Sequence, residues 1–280
     1  MSFGPNPWQQ ASWDWRAAGN FMGGGAGCGL LIFSAVAGVR GDLRMVAIGL
    51  ALALVSLGLL CVWAEIGRPW RALNVLFNPR TSWMTREALV APLLFASGVV
   101  WFFGQQWAAP LTAVLAITFL YCQARILQAA KGIPAWREPL TVPLLVVGGL
   151  AEGAGLYWLL AAWWGRGTFI LWVVFGVLLA ARFALGLMWR ARLARQLRPR
   201  PAQAVDRAAR PANAAMLVAM AIVLGVLMLP PGTGWALALQ GFAGLLAALA
   251  GAAFKFMLIT RAGFNQGFAL THLPVRGART

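Results

Sequence analysis

Charge and histidine are scarce in this chain. Only 11% of its 280 residues are Asp, Glu, Lys or Arg, with seven acidic residues and a single histidine, His272. One histidine cannot supply the paired histidine ligands by which membrane cytochromes of the b type usually hold their haems; methionine or other ligands can substitute in principle, but the sequence speaks against a di-haem subunit. Cysteine is equally sparse. Cys28, Cys61 and Cys122 fall in three different apolar runs without C-x-x-C spacing, which offers neither a disulfide framework nor an iron–sulfur site and reads as three buried, inert thiols. No Walker A motif, H-E-x-x-H or dinucleotide fingerprint is present. The chain carries no cofactor-binding motif of its own.

Apolar residues are abundant: 61% of the chain, with a mean hydropathy of +0.74. That places it among integral membrane proteins, because a hydrocarbon core of about 30 Å takes ~20 consecutive apolar residues per helix. Such runs lie near 18–39, 44–64, 85–104, 108–129, 139–163, 167–189, 212–230 and 235–259. The ten-residue alternation of a transmembrane barrel is missing. The expected fold is an all-α bundle of eight transmembrane helices in one membrane domain: an N-terminal segment 1–17, the bundle 18–260, a basic loop 190–211 and a tail 261–280. The N-terminal stretch has no basic region leading into a short apolar run and cleavage site, so no cleaved signal peptide is expected.

The 23 basic residues outnumber the acidic ones by sixteen, and topology accounts for them. Eight spans put both ends of the chain and the loops after the second, fourth and sixth runs on one side. That side receives nineteen of the basic residues, including four assigned to the C-terminal end, against Arg40, Arg44 and Arg166 on the other and Arg182 within a span. By the positive-inside rule the rich side is cytoplasmic, so both termini are expected inside. The stretch Arg190–Pro211, with seven arginines and three prolines, reads as an extended surface segment that orients the protein and touches anionic lipid, or that docks a partner. Most of the fifteen tryptophans sit near run ends, as in an interfacial belt. Glycines in Met22–Gly29 allow close helix approach. The absence of an internal repeat weighs against a transporter.

Two groups of polar residues are candidates for chemistry. Glu152 and Arg182 lie within the fifth and sixth runs, where ionisable groups are costly. Their depths differ by roughly 7 to 8 Å, within reach of an arginine side chain. They read as a buried pair joining two helices, or as a proton path or quinone contact; in a secondary transporter they would be the midplane site. The second group is EIGRPWRALNVLFNPRTSWMTRE, Glu65–Glu87, between the second and third runs. A hairpin of consecutive spans brings Glu65 and Arg68 beside Arg86 and Glu87 at the membrane boundary. A carboxylate there, among guanidinium groups and indole rings, can exchange protons with a quinone headgroup, and the bland reading is a salt-bridge network. His272 reads as a tail residue that contacts a partner, or as a quinone or proton contact; Asn265 and Gln266, at the end of the eighth run, are weaker candidates.

The same segment resembles the stretch after the second span in dimethyl sulfoxide reductase-type membrane anchors of the wider polysulfide-reductase and NrfD-like superfamily, where H-x-G-R-P-x-R-A is followed by S-W-x-S-R-E. FGPNPWQQASWDWRAAGNFMGGGAG and RAGFNQGFALTHLPVRG resemble the membrane subunits of phenylacetyl-CoA:acceptor oxidoreductases. The resemblance implies a haem-free anchor that exchanges electrons with ubiquinone or menaquinone and holds no iron–sulfur cluster. It implies a four-cluster ferredoxin-like partner and a catalytic partner carrying molybdenum or tungsten on molybdopterin guanine dinucleotide. Arg68, Trp83 and Arg86 match the pattern, whereas Glu65 stands where relatives place a quinone-linked histidine; its ordinary pKa is about 4.3 against about 6.5. Together with the positive-inside side, the resemblance implies a bacterial inner membrane with these partner subunits docked on its cytoplasmic side, and oxidation of a cytoplasmic substrate, a CoA thioester or sulfite, with quinone as acceptor. A purely structural anchor is the remaining alternative.

Overall fold

The computed structural model describes residues 5–66, 74–165, 167–230 and 232–268. Within them lie eight helices long and apolar enough to span a membrane: α1 (Trp15–Val36), α2 (Gly41–Glu65), α3 (Trp83–Phe102), α4 (Ala108–Ala129), α6 (Thr141–Trp163), α7 (Phe169–Ala194), α8 (Pro199–Val226) and α9 (Gly234–Thr260). A four-residue α5 (Pro134–Arg137) precedes α6. The only extended pairing among the described residues is an isolated bridge between Gln9 and Phe264. The chain is a multi-pass membrane bundle. Large apolar side chains such as Leu57, Leu93, Val114, Val177 and Leu249 point out of it toward lipid, while backbone polar groups are satisfied inside each helix.

Helix α1 is the axis, packed against α2, α4, α6 and α9; α3 closes one flank on α4, and α7 and α8 close the other on α6 and α9. Small residues set these approaches. A Cβ on Gly23 would strike the Leu54 carbonyl of α2, and one on Gly153 would strike the backbone of α1 at Gly29. Close backbone contact replaces the hydrophobic drive that lipid cannot provide. Helix starts follow local chemistry: Asp14 accepts the Arg16 amide at 2.8 Å, and Ser82, Thr168 and Thr233 cap α3, α7 and α9 in the same way. The Arg16 side chain also bonds Asp14, holding that carboxyl below its ordinary pKa. Cys28 and Cys122 are buried, Cys61 is half-buried, and all three are unbonded.

The terminal segments meet at one end of the bundle, the terminal face. The Gln10 amide donates to the Gly263 carbonyl at 2.8 Å, and the Asn265 amide donates to the Trp8 carbonyl at 3.0 Å. Asn265 also takes the Trp8 and Gly267 amides on its side-chain oxygen. The α2–α3 connection ends on this same face.

The expected extended segment at 190–211 is instead helical. Helix α7 runs on to Ala194, and α8 begins at Pro199, where proline at the first positions costs no hydrogen bond. Pro201, Ala204, Val205, Ala208, Ala209 and Ala212 form a buried stripe at 3.6-residue spacing that holds α8 on the bundle through Pro211. Arg190 of α7 pairs with Asp206 of α8, and Arg192 reaches Glu138 at 3.4 Å.

Candidate functional site

At the terminal face a cavity of about 180 Å³ opens between the start of α1, the end of α2, the start of α3 and the end of α4. Trp13, Phe21 and Met84 form apolar walls, while Asn20, Glu65 and Glu87 bring polar atoms to it. Glu87 is buried, and its Oε1 accepts from Gln123 Nε2 of α4 at 3.4 Å. The same Nε2 donates to the Asn20 carbonyl at 2.9 Å. The Asn20 side-chain oxygen is buried and has no hydrogen-bond partner among the described residues. Glu65 is the last residue of α2 and half-buried. The carboxylates of one hairpin therefore converge on one cavity, Glu87 from inside the bundle and Glu65 from its rim.

Helical geometry decides which neighbours join them. Met84 and Glu87, three residues apart, share the face of α3 that lines the cavity, and Trp83 and Arg86 share the next. Trp83 is instead clasped between guanidinium groups, with Arg86 4.1 Å and Arg125 4.5 Å from its ring centroid, and meets the Tyr121 ring edge-on at 5.7 Å. Arg86 donates to the carbonyls of Pro79 and Arg80 at 2.9 and 2.8 Å, and Arg125 to the Tyr121 hydroxyl at 2.8 Å. Thr85 bonds the Val75 carbonyl, tying the turn before α3 to its first residues. Of the residues expected to form a quinone site, Glu65 lines the cavity, whereas Trp83 and Arg86 build the α3–α4 corner beside it. Arg68 and His272 lie outside the described residues. Glu87, read in the sequence only as part of the charged cluster, is the carboxylate facing inward.

A second polar centre lies deep in the bundle. Glu152 does not form the expected ion pair with Arg182; its Oε2 pairs with Lys255 Nζ of α9 at 2.8 Å, with both side chains buried. Arg182 is buried nearby with its guanidinium 4.3 Å from the Phe254 ring centroid. The charge count over the loops places Lys255 with the C-terminal end, although it lies inside the eighth apolar run; that position is the signal the sequence offers. Glycines open room for the group: a Cβ on Gly25 of α1 would run into Lys255 Nζ, and one on Gly251 of α9 into the Glu152 side chain.

No family model matches the chain. Over 125 aligned residues it is 33% identical to a subunit of the sulfite dehydrogenase of Allochromatium vinosum, an alignment that covers 37% of this chain and 38% of that protein. The chain thus spans well under half the length of the curated relative it matches.

Proposed function

We propose that this chain is the haem-free membrane anchor of a multi-subunit oxidoreductase and that it exchanges electrons with membrane quinone at the cavity between α1 and α4. The observation that carries the reading is the convergence of Glu65, Glu87 and Asn20 on one apolar-walled cavity at the face where the terminal segments and the α2–α3 hairpin meet. At about 180 Å³ it is smaller than the roughly 300–1,000 Å³ sites of drug-sized ligands, a scale suited to one quinoid ring whose isoprenoid tail stays in lipid. The free Asn20 oxygen and the two carboxyl groups fit the donor and acceptor needs of a ring that changes between carbonyl and hydroxyl. Quinone, when bound, supplies two-electron, two-proton chemistry. Glu87 and Glu65 hold protons at the ring oxygens, and Trp13, Phe21 and Met84 exclude water from the inner side.

The similarity to a sulfite dehydrogenase subunit and the sequence resemblance to reductase anchors support partners of the corresponding kinds: a four-cluster ferredoxin-like subunit and a molybdopterin catalytic subunit. The terminal face is their docking side and is cytoplasmic by charge asymmetry, which makes quinone the acceptor for a cytoplasmic substrate. The relative's name favours sulfite over a CoA thioester. Purification of the tagged chain from its native membrane tests the proposal: molybdopterin and iron–sulfur subunits should co-purify, and the complex should reduce a short-chain quinone. A chain purified alone, with no quinone binding, contradicts it.

A further inference from the structure

We propose that a phospholipid binds at the face opposite the termini, with its phosphodiester between the starts of α7 and α9 and one acyl chain in the seam of α6 and α9. The inference is independent of the quinone assignment. A second cavity, of about 270 Å³, lies where α6 and α8 end and α7 and α9 begin. Helix α9 starts beside it and ends on the terminal face, about 40 Å away at 1.5 Å per residue over its 27 residues.

The polar content of this cavity suits an acceptor. Trp158 lines it from α6, is 1% exposed, and has an indole Nε1 without a hydrogen-bond partner among the described residues. A buried indole N–H ordinarily finds an acceptor, so this one is a donor left for a ligand. Trp172, edge-on to Trp158 at 4.7 Å between ring centroids, already donates to the Val223 carbonyl at 3.1 Å. Gln240 adds an amide from α9, and none of the chain's seven acidic residues lines the cavity.

Two helix starts set the charge preference. Thr168 and Phe169 bring the start of α7 to the cavity, and Gly232 and Ala236 bring that of α9. Thr168 takes the Leu171 amide and Thr233 the Ala236 amide, which leaves the first two amides of each helix outside its own ladder. Both macrodipoles present their positive ends here, and amides and dipoles together favour an anion such as phosphate. The Trp158 donor then serves an ester oxygen of the same molecule.

An apolar groove adjoins the cavity. Leu237 lines both the cavity and a groove of about 470 Å³ on the lipid side of the α6–α9 seam. Small residues Ala162, Ala238 and Gly241 open the groove, and Leu159, Phe242 and Leu245 give it apolar sides. Trp163 at the end of α6 and Trp235 at the start of α9 are strongly exposed, as indole rings are at a membrane boundary. Anion-favouring donors that continue into a lipid-facing apolar groove match one amphiphile. A free phosphate would leave the groove empty, and a quinone would leave the helix starts without an anion. The bound lipid ties α7 to α9 at this end of the bundle and stabilises the folded chain by mass action.

Native mass spectrometry of the full chain, with the subunits that co-purify, tests the site. After bulk lipid is stripped by detergent exchange, titration with dioleoyl phosphatidylglycerol should show a tightly retained lipid. Dioleoylglycerol, which lacks the phosphate, should bind at least about tenfold more weakly, and inorganic phosphate should not displace the phospholipid. Trp158→Phe keeps a ring beside Trp172 and removes the N–H, so it should weaken retention about 3- to 10-fold, the loss of one hydrogen bond. Ala238→Trp fills the groove from an exposed position and should weaken it as well, which tests the site even where Trp158→Phe fails to assemble. Val114→Ala, on the lipid-facing side of α4, should change nothing. Equal binding with and without the phosphate, displacement by inorganic phosphate, retention of quinone in the lipid's place, or retention that an assembled Trp158→Phe or Ala238→Trp leaves unchanged overturns the inference.

Discussion

Lys255 Nζ donates to Glu152 Oε2 at 2.8 Å between α9 and α6, with each side chain almost wholly removed from its surroundings. Breaking such a pair leaves an uncompensated charge, whereas exchanging it for balanced groups costs less. The neighbouring Arg182 makes the outcome asymmetric. Glu152→Gln leaves two buried cations and should cost about 3–5 kcal/mol of stability. Lys255→Gln leaves a carboxylate opposite a guanidinium and should cost clearly less. Thermal unfolding in detergent, read by tryptophan fluorescence, ranks the two; equal losses would place Arg182 outside the pair's field.

Gly25 gives a packing test of the same centre. A methyl group there occupies the position of the Lys255 ammonium, so Gly25→Ala should destabilise the chain by about 1–3 kcal/mol, as overpacking does. Gly225, whose Cβ meets open space, is the control, and alanine there should be neutral or slightly stabilising.

The division of the Glu65–Glu87 hairpin is separable by kinetics. Glu87→Gln removes a carboxylate at the cavity and should lower quinone turnover by about 10²- to 10⁴-fold if it transfers protons, with a smaller change in KM. Trp83→Ala removes the ring between Arg86 and Arg125 and should cost about 1–2 kcal/mol of stability, at about 0.5–1 kcal/mol for each cation–π contact, without changing KM. Equal kinetic effects from both would contradict the placement of Trp83 outside the cavity.

The α7–α8 corner predicts a modest electrostatic effect. Asp206→Asn breaks the pair with Arg190 at a partly exposed site and should cost about 0.2–1 kcal/mol, shrinking as salt is added. A loss that is insensitive to salt would mean that the corner is held by the alanine stripe of α8 alone.

How far these features are legible in the sequence depends on the physics behind each. Eight apolar runs translate directly into the eight long apolar helices found among the described residues, because lipid admits no other arrangement for such segments. Arg190–Pro211 misleads because its charge is read before its spacing; the alanines at 204, 208, 209 and 212 fix a helix that the arginines merely decorate. Glu65 and Glu87 are visible as hairpin partners, yet only the helical phase of α3 separates Glu87 and Met84 from Trp83 and Arg86. Lys255 is legible only as a charge inside the eighth apolar run; its partner is not, because a long side chain carries that charge across to Glu152 on another helix.

The location of the quinone site is tested most directly by photoaffinity labelling of the purified complex with an azido-quinone, followed by peptide mapping of this chain. The label should fall on the stretches around Trp13–Phe21, Val62–Ile66 and Met84–Glu87 and be displaced by unlabelled quinone. Displaceable label confined to other helices, or none at all, would contradict it.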